Sequence, residues 1–125
     1  MSDIALVREI LRQLQWSTTT ILHRLESIQS VDDFTSSDVG LEKLDAMCMQ
    51  LIAIGEGLKN LDKVTQGSLL PRYPDVNWKR AMGMRDVLSH HYFDLDAEIV
   101  YNVCTQHIPS LAATLEQMQS DLKNR

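Results

Sequence analysis

Four side chains capable of acid–base or phosphate chemistry are grouped in the segment MRDVLSHHY, residues 84–92. Arg85 carries a planar guanidinium that binds phosphate through two parallel hydrogen bonds. His90 and His91 titrate near neutral pH, and Tyr92 adds a hydroxyl group. These groups suit metal-free RNA cleavage, in which an imidazole removes the proton of a ribose 2′-hydroxyl while a guanidinium stabilises the charge on the phosphate. The alternative is a surface cluster in which cations lie near the negative end of a helix.

The spacing of Arg85 and His90 limits how they could form a site. On an ideal helix, residues five apart point about 140° away from each other. Either the helix ends between the two residues, or the same pair from a second chain completes the site across a two-fold axis. The second arrangement would supply one His90 as general base and the other as general acid at the same phosphodiester.

Other kinds of site have little support in the sequence. Zinc sites on helices use ligands at i and i+4 or at C-x-x-C spacing, and the four histidines and two cysteines show neither spacing. Cys104 and His107 are three residues apart, but both fall on the apolar stripe of a predicted helix, so we expect a hydrogen-bonded core histidine there. The chain also has no G-x-S-x-G elbow and no glycine-rich phosphate loop before a strand. We therefore expect neither a metal site nor a cofactor.

The length of 125 residues predicts one domain, residues 1–125. Apolar residues at 44% and charged residues at 23% are typical of globular proteins, and no apolar run approaches the ~20 residues that span a bilayer. The N-terminal segment lacks the basic start, apolar block and cleavage site of a secretory signal, which favours a cytoplasmic location. In that setting Cys48 and Cys104 are expected to be buried free thiols rather than a disulfide.

The net charge of −5 argues against a generic nucleic-acid-binding protein, because phosphate neutralisation supplies most nonspecific affinity. The charge is unevenly distributed, however: residues 59–85 have a local balance of +4, while both flanks are acidic. This segment could steer an anion toward Arg85, or it could be a solvated loop and helix face. Its basic residues are Lys59, Lys63, Arg72, Lys79, Arg80 and Arg85.

Apolar or small residues recur three and four positions apart in four segments, which predicts four helices. The four stripes cover residues 4–28, 44–61, 76–88 and 99–122. Serines and aspartates separate the first two helices, and a glycine with two prolines separates the next two. Asp94 or Asp96 is expected to cap the last helix, and Pro109 to kink or restart it. No segment alternates with period two, so the predicted fold class is all-α, a four-helix bundle of the up-and-down kind.

Gly55 and Gly57 interrupt the second stripe in the segment AIGEGLK. Glycine inside a helix costs roughly 1 kcal/mol relative to alanine, so a close neighbour is expected at these positions. That neighbour could be a helix of the same chain or of a partner chain in a dimer. The near-heptad spacing of the first two stripes leaves the same choice between a bundle core and a helical dimer interface.

The pattern R-x4-H-x-Y, formed here by Arg85, His90 and Tyr92, resembles the signature of the HEPN superfamily, specifically of HepT-like toxins from HEPN/MNT toxin–antitoxin pairs. Other segments are similar in order and spacing: AIGEGLK, LLPRYPDVNW, MGMRDVLSHHYFDLDAEIVY and HIPSL. They cover roughly residues 50–112. Such a linked series is far more specific than R-x4-H alone, whereas the first helix is similar only in being long and amphipathic.

The resemblance implies a four-helix HEPN domain that forms a homodimer, with Arg85 and His90 of both chains making a metal-independent RNA-cleaving site in the dimer cleft. His91 could assist. The resemblance also implies a partner, a minimal nucleotidyltransferase (MNT) antitoxin that transfers AMP from ATP to Tyr92 and so neutralises the toxin. ATP is then used by the partner, and the chain itself needs no cofactor.

One position departs from the family pattern. The residue after the arginine is often asparagine in the family, whereas this chain has Asp86. The carboxylate could repel RNA, pair with Arg85 or orient a histidine. Glu56, in the second predicted helix, could likewise approach Arg85 or remain a solvated surface acid.

Two other functions are compatible with these residues. Asp86 and the acidic flanks favour a HEPN domain that does not cleave RNA and only docks a nucleotidyltransferase partner or a nucleotide. The other is a purely structural four-helix dimer, in which MRDVLSHHY only caps a helix. The endoribonuclease differs from both because it predicts that Arg85→Ala and His90→Ala abolish toxicity with little change in fold.

Overall fold

A computed structural model describes residues 3–90 and 96–123, except for the side chains of residues 89 and 90. His91, Tyr92 and Asp94 lie outside these ranges. Within them the chain is helical without any strand, which confirms the predicted all-α class, and no helix is long and apolar enough to cross a membrane. The elements are α1 (Ile4–Leu25), α2 (Asp32–Thr35), α3 (Asp38–Val64), a 3-10 turn (Leu70–Arg72), α4 (Trp78–His90), α5 (Ala97–Asn102), a π-helical segment (Val103–His107) and α6 (Ile108–Lys123).

The hydrophobic core confirms the two long stripes predicted for the first half of the chain. α3 packs against both α1 and α4, and α6 packs against α1. At the ends of the first stripe, Ile4 is 41% exposed, and Ile28 is buried beyond the end of α1. Both stripes therefore lie in the core of a single chain. Their buried members are Val7, Leu11, Leu14, Thr18 and Ile21 on α1, and Leu44, Met47, Cys48, Leu51, Ile54, Leu58 and Leu61 on α3.

Polar side chains cap the helices near the positions that the sequence indicates. The Ser37 hydroxyl oxygen accepts a hydrogen bond from the Gly40 amide at 3.0 Å, at the start of α3. The Asn77 side chain accepts from the Arg80 amide at 3.1 Å, which fixes the start of α4. Asp96 caps α5, as predicted. Each cap satisfies a backbone donor that has no partner within its own helix.

The segment between α1 and α3 contains the short helix α2. Its Phe34 is fully buried and packs edge-to-face against Tyr101, with 6.3 Å between the ring centroids. α2 lies directly on the start of α3, where a Cβ atom on Gly40 would collide with the Asp33 carbonyl oxygen. A helix of four residues is too short to show a hydrophobic period, so the pattern of the sequence does not reveal it.

The last predicted stripe changes register in the structure. Cys104 and Ile108 are buried, whereas Ile99 is 57% exposed and His107 is also exposed. The π-helical segment holds more residues per turn than an α-helix, so the buried face passes to Ile108 instead of His107. The prediction of a core histidine at position 107 was therefore wrong.

Pro109 is the second residue of α6, two positions after the end of the π-helical segment. Proline has no N–H group, so it cannot donate to the carbonyl of Thr105 as a regular α-helix requires. One turn earlier, the Thr105 hydroxyl donates to the Tyr101 carbonyl oxygen at 2.9 Å. The helix continues through this proline, and its geometry changes from π to α at Ile108, the residue before it.

Cys48 on α3 and Cys104 in the π-helical segment are free and buried, as predicted. Burial raises the pKa of Cys48 to about 11 and the pKa of Cys104 to about 12, because a thiolate is poorly solvated in the core. Both thiols therefore stay protonated at neutral pH, where only a thiolate would be a nucleophile.

Candidate active site

The candidate site lies on α4, which carries Arg85 and ends at His90. The helix is continuous from Trp78 to His90, so it does not end between the arginine and the histidine. A site formed by a helix end between Arg85 and His90 is therefore absent. Since positions five apart on a regular helix diverge by about 140°, α4 alone does not turn the two residues toward one point.

Two glycines of α3 allow the neighbouring helices to approach closely. A Cβ atom on Gly55 would lie 3.0 Å from the Cβ of Arg85 and 3.1 Å from its backbone nitrogen. A Cβ atom on Gly57 would lie 2.7 Å from a methyl carbon of Leu14 on α1. Both neighbours belong to the same chain, so packing within the chain explains the two glycines.

Two carboxylates contact the Arg85 guanidinium. Oε1 of Glu56, on α3, lies 2.5 Å from Nε of Arg85, and Oδ1 of Asp86 accepts a hydrogen bond from Nη1 at 3.0 Å. The second oxygen of Asp86, Oδ2, lies 3.3 Å from Nζ of Lys59. The sequence left open whether Glu56 and Asp86 pair with Arg85 or have other roles. In the structure both carboxylates pair with Arg85.

This network of four side chains lies at the surface. The exposed fraction of the side chain is 43% for Arg85, 52% for Glu56, 47% for Asp86 and 40% for Lys59. Solvent screens ion pairs of this kind, so they contribute little to folding stability. The hydrogen bond from Arg85, followed by the interactions with Lys59, nevertheless holds the pKa of Asp86 below its usual value. Asp86 is therefore ionised at neutral pH.

The guanidinium retains donors beyond those that the carboxylates engage. Arginine has five N–H groups. Glu56 lies 2.5 Å from Nε as an ion pair and Asp86 accepts a hydrogen bond from Nη1, while neither acid accepts a hydrogen bond from Nη2. A phosphate oxygen can therefore bind at Nη2 without displacing either carboxylate.

The basic residues of the segment 59–85 fall into two groups in the structure, those paired with acids and those exposed to solvent. Lys59 and Arg85 are paired with acids. Lys63 is exposed and lines a shallow groove on α3 that also includes Glu56, while the first turn of α4 exposes Arg80. Exposed cations thus remain on α3 and α4, the two helices that carry the paired group, where they can attract an anion.

Lys59 belongs to this site, although the sequence shows it only as part of a basic segment. Its position three residues after Glu56 indicates a shared face of α3, and this spacing was the available signal. Its contact with Asp86 depends on α4 lying against α3, which local sequence does not specify.

Comparison with known proteins assigns the family. The family model described as ribonuclease HepT-like matches residues 7–118, nearly the whole chain. The chain belongs to the HepT-like ribonuclease family. The family predicted from R-x4-H-x-Y is thereby confirmed, and the similarity extends beyond residues 50–112 to include α1.

Three HepT-like relatives illustrate the similarity. A protein of Methanocaldococcus jannaschii named "Putative RNase" is 30% identical over 105 residues, which cover 79% of this chain and 84% of that protein. A "Putative RNase" of Caldanaerobacter subterraneus subsp. tengcongensis is 31% identical over 98 residues, covering 78% and 80%. The "Probable ribonuclease HepT" of Thermococcus cleftensis is 28% identical over 100 residues, covering 75% and 87%. No solved structure matches the chain.

Proposed function

We propose that this HepT-like protein is the toxin of a HEPN/MNT toxin–antitoxin pair and acts as a metal-independent endoribonuclease in the cytoplasm. The observation that carries the proposal is the half-exposed Arg85 guanidinium, with donors available on Nη2, on the helix that ends at His90. Family membership and the names of the three relatives support RNA as the substrate. Arg85 binds phosphate, and His90 transfers protons.

In the proposed reaction, Arg85 binds a non-bridging oxygen of the scissile phosphate and stabilises the charge that builds in the transition state. One His90 imidazole removes the proton of the 2′-hydroxyl, and the 2′-oxygen forms a bond to phosphorus. The bond from phosphorus to the 5′-oxygen breaks as a second, protonated His90 donates a proton to that oxygen. The products are a 2′,3′-cyclic phosphate and a 5′-hydroxyl.

A homodimer supports this chemistry because it supplies the second His90. The continuity of α4 from Arg85 to His90 favours a site completed by another chain over a site within one chain. Light scattering of the purified protein is expected to give twice the chain mass of 14.2 kDa. A monomer that cleaves RNA would exclude the shared site.

The proposed control of the toxin is the transfer of AMP from ATP to Tyr92 by an MNT antitoxin. The added phosphate and nucleoside would place negative charge and bulk two residues from His90, where RNA phosphate must bind. Mass spectrometry after incubation with that antitoxin and ATP is expected to show added AMP, and Tyr92→Phe is expected to remain unmodified and active. Tyr101→Phe is a suitable control, because Tyr101 lies outside the motif.

The alternative function is a HEPN domain that does not cleave RNA and docks a nucleotidyltransferase partner or a nucleotide. The observation that favours it is the pairing of Arg85 with two carboxylates, Glu56 and Asp86. This function predicts added AMP without any RNA cleavage by the unmodified protein.

The deciding experiment is cleavage of total RNA by purified protein in the presence of a metal chelator. Arg85→Ala and His90→Ala are each expected to lower the rate on the order of 10²–10⁴-fold, because each removes a group that acts in the transition state. Matched controls are Arg8→Ala, an exposed arginine on α1, and His107→Ala, an exposed histidine. Equal cleavage by wild type and His90→Ala would refute the catalytic assignment.

A further inference from the structure

Two carboxylates beside a phosphate-binding arginine present a problem, since both carry the charge of the ligand. They could compete with phosphate for Arg85, or they could hold the guanidinium in place for it. The atoms that they engage distinguish the two cases. Glu56 lies 2.5 Å from Nε and Asp86 accepts a hydrogen bond from Nη1, so each carboxylate takes a different nitrogen and neither accepts a hydrogen bond from Nη2.

The charges of the network also oppose simple competition. Lys59 lies 3.3 Å from Oδ2 of Asp86, whereas Arg85 donates to Oδ1. Two cations and two anions together carry no net charge, so an approaching phosphate does not meet a net negative group. Asp86 is thus shared between two cations, and its repulsion of a ligand is reduced accordingly.

α3 fixes Arg85 at both ends of its side chain. At the base, the close approach of Gly55 to the Cβ and backbone nitrogen of Arg85 sets the position of α4. At the tip, Glu56, the next residue of α3, contacts Nε. An arginine side chain has several rotatable bonds, and a carboxylate 2.5 Å from Nε restricts the last of them.

We propose that Glu56 and Asp86 are positioning residues, which hold Nε and Nη1 of Arg85 so that Nη2 is presented to the scissile phosphate, with Lys59 balancing the charge of Asp86. This inference rests on the proposed ribonuclease function. It assigns the two acids no contact with the substrate. Their effect is to keep the guanidinium in one orientation before RNA binds, which lowers the cost of reaching the transition state.

The kinetic test compares kcat and KM for wild type, Glu56→Ala and Glu56→Gln, with Glu116→Ala as a matched control on the exposed surface of α6. Glu56→Ala is expected to lower kcat on the order of 10²-fold, the scale of a misplaced catalytic group. Glu56→Gln retains an oxygen that can lie beside Nε, so it is expected to recover much of that loss. Glu116→Ala is expected to match wild type.

The structural test follows the Nε–H resonance of Arg85 by 15N NMR, assigned by its loss in Arg85→Lys. Hydrogen exchange of this group is expected to be slow in wild type and fast in Glu56→Ala, because only the former has the carboxylate on Nε. Glu116→Ala should leave it slow. This readout reports the orientation of Arg85 whether or not the protein cleaves RNA.

The outcomes separate this inference from the proposed function. If wild type cleaves RNA and Glu56→Ala has an equal or higher kcat, the carboxylate competes or is neutral, and the positioning role is overturned while the ribonuclease stands. If wild type does not cleave RNA, the proposed function fails. In that case the hydrogen-exchange rate of the Arg85 Nε–H group still tests the anchoring of Arg85 by Glu56. Equal rates in wild type and Glu56→Ala overturn the anchoring, and a faster rate in Glu56→Ala supports it.

Discussion

Replacing Gly55 by alanine tests whether the contact between α3 and α4 sets the position of Arg85. The new Cβ atom would lie 3.0 Å from the Arg85 Cβ, 3.1 Å from its backbone nitrogen and 3.4 Å from the Met82 carbonyl oxygen. Two of these neighbours are backbone atoms, which cannot rotate away. α4 must therefore move outward by a few tenths of an ångström, carrying Arg85 with it.

Gly83 on α4 provides the matched control. It also lies inside a helix, and a Cβ atom there meets nothing within 4 Å among the described residues. Gly83→Ala is expected to stabilise the protein by about 1 kcal/mol, the difference in helix propensity between the two residues. Gly55→Ala has the same propensity gain, but overpacking at the helix contact costs about 1–3 kcal/mol.

The propensity terms cancel in the comparison, so Gly55→Ala is expected to be about 1–3 kcal/mol less stable than Gly83→Ala. For a chain of this size the difference corresponds to a Tm lower by roughly 4–12 °C. Urea and thermal unfolding, followed by circular dichroism at equal protein concentrations, measure it. Equal stability of the two variants would refute the close contact. Normal RNA cleavage by Gly55→Ala would refute its role in placing Arg85.

Three further predictions follow from other parts of the structure. Gly40→Ala is expected to lower the unfolding free energy by about 1–3 kcal/mol or more, because the Cβ atom of the new alanine would collide with the backbone of α2. A Tm equal to that of wild type would contradict this prediction. The pKa of the Asp86 carboxyl is expected to lie below its ordinary value of 3.8 in a 13C NMR titration, and Lys59→Gln is expected to raise it. Because the pKa is lower in the folded state than in the unfolded state, ionised Asp86 stabilises the fold above pH 3.8. This stabilisation is lost as the pH falls through the folded-state pKa. Cys48 and Cys104 are expected to react with a thiol reagent at mildly alkaline pH only after unfolding, since their pKa values are raised to about 11 and about 12. Rapid reaction of the native protein would contradict their burial.

Local sequence determined the features of this protein that depend on spacing along the chain. The apolar stripes at 4–28 and 44–61 predicted α1 and α3, because an α-helix repeats every 3.6 residues and each stripe is long enough to show that period. The caps likewise depend on residues a few positions apart. The motif R-x4-H-x-Y indicated the family, and it is a linear pattern as well.

Tertiary structure decided the features that depend on contacts between distant residues. The buried face passes to Ile108 because a π-helical segment changes the register of the last helix, and the exposed His107 carries no signal of this change. The pairing of Glu56 with Arg85 joins residues that lie 29 positions apart in the sequence and 2.5 Å apart at their side-chain atoms. Sequence supplied both charges, but only the close approach of α4 to Gly55 brings them together, since that approach depends on how two helices pack and not on the spacing within either one.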